Sequence, residues 1–123
     1  MKTVSLFSGC GGLDLGFVKS GFQITAAYDS DRAAITCYNT NHVAPAKQVR
    51  ISSSFSLEQD VEVLIAGPPC QGFSTVGKNQ ANDRRNFLFL ETCEIAARSQ
   101  PKVLVLENVS VFPVSAYGTD LRL

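Results

Sequence analysis

The feature that most restricts this chain is a junction. The apolar run Val61-Glu62-Val63-Leu64-Ile65 leads through Ala66 into Gly67-Pro68-Pro69-Cys70. The run has the length and β-branched content of a short buried strand. Gly67 and the two prolines stop it. The prolines also fix φ and remove two backbone donors, so the loop that follows is stiff. A thiol is thus presented at the carboxyl end of a strand, where open parallel α/β sheets bind their ligands. Two readings of Cys70 are open: a nucleophile, or the inert buried thiol that most free cysteines are. The Pro-Pro-Cys-Gln setting favours the nucleophile.

The rest of the pattern supplies the sheet. Thr3–Phe7 reads as a first strand, and Ser8-Gly9-Cys10-Gly11-Gly12 as a glycine turn. Leu13–Ser20 reads as a helix with Leu13, Phe17 and the Leu15/Val18 side partly buried, capped by Gly21. Strand, glycine turn and helix let backbone N–H groups approach a ligand closely. The spacing is G-x-G-G rather than G-x-G-x-x-G, so by itself it is equally an ordinary tight turn. Phe22–Tyr28 is a second strand ending on Asp29, twenty residues after Gly9. An acid at that tip accepts from ribose hydroxyls of an adenosine-type ligand. The competing role is a helix N-cap, open to Asp29, Ser30 or Asp31, and the spacing to the glycine turn favours the ligand role for Asp29. Asp31–Asn39 is expected as a helix with Ala33, Ala34, Cys37 and Tyr38 inward. The loop to Ala46 carries His42, read as a surface residue.

Lys47–Ile51 reads as a short third strand, and residues 52–60 as a loop. After the Cys70 loop, Gly77–Arg85 is a polar exposed loop, and Phe87–Arg98 a helix with Leu88, Cys93, Ile95 and Ala96 as core candidates. Lys102–Leu106 is the fifth strand, with Glu107-Asn108-Val109 at its tip. This order of strands and helices is α/β: an open parallel sheet with helices on both faces. Gly9–Gly12, Asp29, Cys70 and Glu107 then converge on one rim.

Composition narrows the function. The 123 residues fit one small domain, and eleven basic residues balance eleven acidic ones, so no global field draws the chain to nucleic acid. Four cysteines without a C-x-x-C pair, and one histidine, make no zinc set. There is no 18-residue apolar span and no signal peptide, which gives a cytoplasmic location with reduced thiols as the expectation and no membrane partner.

Taken together, these residues resemble the first half of a DNA (cytosine-5-)-methyltransferase. Phe7-Ser8-Gly9-Cys10-Gly11-Gly12 is similar to that family's first motif, which holds S-adenosyl-L-methionine, and Asp29 stands where the family has its ribose acid. Gly67–Ser74 resembles the fourth motif, Asp83–Leu88 the fifth and Glu107-Asn108-Val109 the sixth. The resemblance covers residues 3 to about 112. It implies a Rossmann-like fold with strand order 3-2-1-4-5, incomplete on its C-terminal side. It implies cofactor contacts from Phe7, Gly9, Gly11, Gly12, Asp29, Ile51, Pro68 and Leu88, catalysis by Cys70 and Glu107, and substrate contacts from Gln71, Ser74, Arg85 and Asn108.

Two departures stand out. Arg50-Ile51-Ser52 occupies the place of a third motif that normally carries an Asp near the adenine amino group. The family's later motifs and target-recognition region are absent, and residues 113–123 read as an irregular tail after a unit spanning 1–112. The expected reaction is methyl transfer to C5 of a cytosine flipped out of duplex DNA, in a restriction-modification setting, with a second polypeptide supplying the missing motifs. The alternatives are an RNA cytosine-5 methyltransferase, an inactive truncated remnant and, disfavoured by G-x-G-G, a nucleotide-dependent oxidoreductase.

Overall fold

The computed structural model of the chain describes residues 1–57, 60–69 and 87–108. Five parallel strands form one sheet in the order β3-β2-β1-β4-β5. They are β1 (Lys2–Leu6), β2 (Gln23–Asp29), β3 (Ala46–Gln48), β4 (Val63–Ala66) and β5 (Val103–Leu106). The helices α1 (Gly12–Lys19), α2 (Arg32–Asn41) and α3 (Leu88–Ser99) complete the described elements.

β1 is central and paired on both sides. Its residues alternate between faces, as strand geometry requires. Val4 and Leu6 join Tyr28, Ile51, Leu64, Ile95 and Ala96 in the cluster that includes α3. Thr3 and Ser5, both buried, are its other two residues in this alternation. A further cluster of Ile24, Val63 and Ile65 carries Leu13 and Phe17 of α1.

Local chemistry explains where the helices start and stop. At the end of α1 the N–H of Gly21 donates to Val18 O at 3.0 Å, and that of Phe22 to Phe17 O at 3.0 Å. This is the paired closure that needs a left-handed residue, and Gly21 has φ +85°. The accompanying apolar contact is Phe17 on Phe22, with ring centroids 5.1 Å apart. Asp31 caps α2, its Oδ1 accepting from the N–H groups of Ala33 at 2.7 Å and Ala34 at 3.1 Å. That settles which of the three candidates is the cap.

Several expectations need correction. In α1 the buried position is Asp14, whereas Leu15 and Val18 are exposed, so the charged residue and not the apolar pair faces inward. In α2, Ile35 and Tyr38 are buried while Ala33 and Cys37 are exposed. With Asp31 fixing the first turn, positions 35 and 38, three apart, are the ones that meet the sheet. In α3, Phe89 and Thr92 join Ile95 and Ala96 in the interior. The third strand is Ala46–Gln48, and Ile51 lies beyond it as a core residue.

β5 ends the described sheet. Its four apolar residues are only partly covered, and Val103 is exposed.

Candidate active site

The turn after β1 is the most contorted stretch of described backbone. Phe7 has φ +55°, Gly9 +55° and Gly11 +90°, so left-handed residues alternate along it. Phe7 is the costly one, because a side chain disfavours that region, and such strain is kept where surroundings over-determine it. Here the N–H of Ser8 donates to Tyr28 O at 3.1 Å, fastening the turn to β2. Gly11 precedes α1, its N–H donating to Ser8 O at 2.9 Å and its carbonyl accepting from Leu15 N at 2.9 Å. At Gly9 and Gly12 an added Cβ would meet nothing within 4 Å, so the turn's surface is open at both.

Asp29, at the tip of β2, reaches this turn. Its Oδ2 accepts from Gly9 N–H at 2.8 Å and its Oδ1 from Asp31 N–H at 2.8 Å. The spacing of twenty residues thus does bring Asp29 and Gly9 together, through a hydrogen bond that the sequence did not disclose. Each oxygen keeps a second lone pair for a further donor. Beside Asp29, a hollow of about 490 Å³ is lined by Ser30, Gln48, Val49 and Arg50 at the tips of β2 and β3. Ile51 is buried at 4% exposure, its side chain committed to the core, so a ligand contact there falls to its backbone.

The second half of the rim is built by strand register. Ala66 pairs with Leu106, and the N–H of Glu107 donates to Ala66 O at 2.9 Å. Glu107 Oε2 lies 3.5 Å from where a Cβ on Gly67 would stand. The carboxylate therefore sits against the first residue of the loop leading to Cys70. Pro68 is buried, Leu88 and Asn108 are half-buried, and Glu107 is exposed. Cys70, Gln71, Ser74 and Arg85 lie outside the described residues.

Beneath the glycine turn lies a polar group that sequence reasoning missed. Asp14, fully buried, accepts from Ser5 Oγ at 2.7 Å and from Tyr38 Oη at 2.6 Å. Burial, then this hydrogen bond, pushes the Tyr38 phenol well above its ordinary value of 10. His42 stacks on Tyr38 with ring centroids 4.2 Å apart. It is half-buried against the turn rather than on the open surface. The only available sequence signal was Asp14 itself, a charge on the apolar face of a helix. Elsewhere in the turn, the nearby Cys37 side chain holds the Cys10 thiol above its ordinary value.

Among the described residues no group of three His, Cys, Asp or Glu side chains is placed to hold a metal ion, and no helix is long and apolar enough to cross a membrane.

Comparison with known proteins agrees with this architecture. The profile of the C-5 cytosine-specific DNA methylase family matches residues 1–116. The type II methyltransferase M.HgiGI of Herpetosiphon aurantiacus is 41% identical over 114 residues, covering 89% of this chain and 90% of that protein. M.HgiDI of the same organism is also 41% identical over 89% of this chain, yet the match takes in only 37% of its own length. The Dnmt2 methyltransferase of S. pombe superposes with a TM-score of 0.78 at 26% identity, covering 99% of this chain and 40% of that one. The chain thus spans nearly all of one relative and two fifths or less of the other two. The matched span takes in all five strands and both loops of the rim, and on that extent the chain belongs to the C-5 cytosine-specific DNA methylase family.

Proposed function

We propose that this chain carries the methyl-donor site and the catalytic thiol of an enzyme that transfers a methyl group from S-adenosyl-L-methionine to carbon 5 of cytosine in DNA. One observation carries the reading: the tips of β1, β2, β4 and β5 share a rim on which Asp29 is hydrogen-bonded to Gly9 and the Glu107 carboxylate lies beside Gly67. The type II methyltransferases among its relatives support it.

The residues present fit a nucleoside donor. The turn is open at Gly9 and Gly12, Asp29 has free lone pairs, and Ser8 Oγ is buried without a partner among the described residues. Gly9, Gly11, Gly12 and Phe7 would form the cradle, Asp29 would accept from the ribose, and the hollow beside Arg50 would take the base, with Ile51, Pro68 and Leu88 as the remaining donor contacts that the family resemblance implies. When bound, the cofactor supplies an electrophilic methyl group on a sulfonium sulfur.

Carbon 5 of cytosine is a weak nucleophile. Addition of the Cys70 thiolate at carbon 6 makes the ring enamine-like and splits one hard step into two easier ones. Glu107 holds a proton at ring N3 and stabilises the charge that builds there. Loss of the carbon 5 proton then expels the thiolate. Gln71, Ser74, Arg85 and Asn108 hold the flipped base and its backbone. Target recognition belongs to the length that the longer relatives carry beyond this match, on the same or a second polypeptide; the type II names of the chain's relatives support a restriction-modification setting for the enzyme.

The test is transfer of a labelled methyl group to duplex DNA, with tRNA as a parallel substrate. The chain is assayed alone and with a polypeptide supplying that further length. DNA labelling only in the combined reaction is expected. Labelling of tRNA instead moves the substrate to RNA, and failure of the chain to bind the donor in calorimetry overturns the reading.

A further inference from the structure

Gly11 is a glycine for two separable reasons. Its φ of +90° disfavours any side chain. In addition, a Cβ built on it would collide with His42 Nε2, with two further ring atoms at 2.7 and 2.8 Å. The imidazole therefore fills the space directly under the turn. Its own position is set by Tyr38, which is itself held in place. The backbone N–H of His42 donates to Tyr38 O at 2.9 Å, which closes the end of α2. Its ring stacks on the Tyr38 ring with an interplanar angle of 23°. Tyr38 is in turn held by the buried Asp14 carboxylate, which also accepts from Ser5 of the central strand. A continuous chain of contacts thus runs from β1 through α1 and α2 to the underside of Gly11.

We propose that His42 is a positioning residue, a brace that transmits the rigidity of the Ser5–Asp14–Tyr38 group to Gly11 and holds the glycine turn in its donor-binding shape. It rests on the reading of this turn as the methyl-donor site. His42 touches neither donor nor cytosine in this scheme. It acts through the backbone of Gly11, and through it on Gly9, whose N–H is bound to Asp29.

The experiment is a double-mutant cycle on the full chain, read by calorimetric titration with S-adenosylhomocysteine. His42→Ala is expected to weaken binding about tenfold, and His42→Phe, which restores a stacked ring, to stay within about threefold of wild type. Gly11→Ala is expected to lose about tenfold less affinity in the His42→Ala background than in wild type, because the steric part of its cost is gone. His42→Leu, with bulk but no planar ring, is measured in parallel so that the comparison survives a poorly folded alanine variant. Wild-type affinity in both His42→Ala and His42→Leu, or strict additivity of the Gly11 and His42 effects, overturns the proposal. Amide exchange in the unliganded protein reads the brace without any ligand: Gly9 and Gly11 are expected to exchange about tenfold faster in His42→Ala and at the wild-type rate in His42→Phe. Unchanged exchange overturns the brace. Accelerated exchange in a chain whose wild type fails to bind S-adenosylhomocysteine keeps the brace and overturns the donor-site reading alone.

Discussion

Asp29→Asn is the substitution that separates the two jobs assigned to this carboxylate. In the wild type one oxygen accepts from Gly9 N–H and the other from Asp31 N–H, each at 2.8 Å. An amide has one oxygen and one NH₂, so in either orientation a donor is turned toward a donor. One charge-assisted hydrogen bond is lost outright, at about 1.5–3 kcal/mol. Unfolding entropies per residue put about 4 °C on each kcal/mol for a chain of this size, so the melting temperature should fall by about 6–12 °C. The ribose contact would lose its charged acceptor as well, which weakens S-adenosylhomocysteine binding by about 10- to 100-fold. Thermal denaturation by circular dichroism and calorimetric titration read the two effects independently. A melting temperature within about 2 °C of wild type would refute the tie between Asp29 and the turn. Unchanged affinity in a destabilised variant would leave Asp29 as a tether with no ligand role.

Other expectations follow from the proposed chemistry and from two further hydrogen-bonded groups. Cys70→Ser abolishes methyl transfer in any active assembly, because a hydroxyl is far less ionised than a thiol at neutral pH; wild-type turnover in the labelling assay would remove Cys70 as nucleophile. Tyr38→Phe leaves one oxygen of a buried carboxylate without its donor and costs about 2–3 kcal/mol in urea denaturation at pH 7. Because the folded-state phenol titrates above its unfolded value of 10, that stabilisation is present below pH 10 and lost as pH rises beyond it, so the two proteins converge in alkali. Glu62 is held down to about 2, chiefly by the Lys102 ammonium and then by the Lys2 N–H. Its stabilisation is therefore complete above its ordinary value of 4.5 and is lost as pH falls toward 2, so the wild-type advantage over Glu62→Gln in acid denaturation should close across that window.

What the sequence disclosed and what it hid divide along physical lines. Strands surrounded by sheet were legible because every residue of Val63–Ala66 is buried, and continuous apolar runs are what such strands require. The Gly9–Asp29 pairing was legible as a spacing, since a short helix and a parallel return fix how far apart two strand tips fall in sequence. The helix faces were misread where polarity and burial disagree. Asp14 is interior because hydroxyls from two other elements meet it, and no local pattern reports Ser5 and Tyr38 as partners. His42 was misjudged because Tyr38, one turn back in α2, offers its ring for stacking, and because Gly11, which it packs against, comes from a distant turn. Cys37 was expected in the core from its apolar character, and the Asp31 cap set a helical phase that turned it outward.

The central place of β1 also has a temporal side. Its register with β2 joins Lys2 to Gln23, but its other edge waits for β4, where Thr3 meets Val63. At ribosomal rates, sixty residues take about 3–12 s to appear. For that interval the strand that will become the middle of the sheet has one bare edge, the one along which Ser5 will pair with Ile65. The rim that gathers the glycine turn, Asp29 and Glu107 is therefore a late product of synthesis. A nascent chain stalled before residue 63 should be a ready substrate for chaperones that bind unpaired strands, and release should follow once β4 has docked.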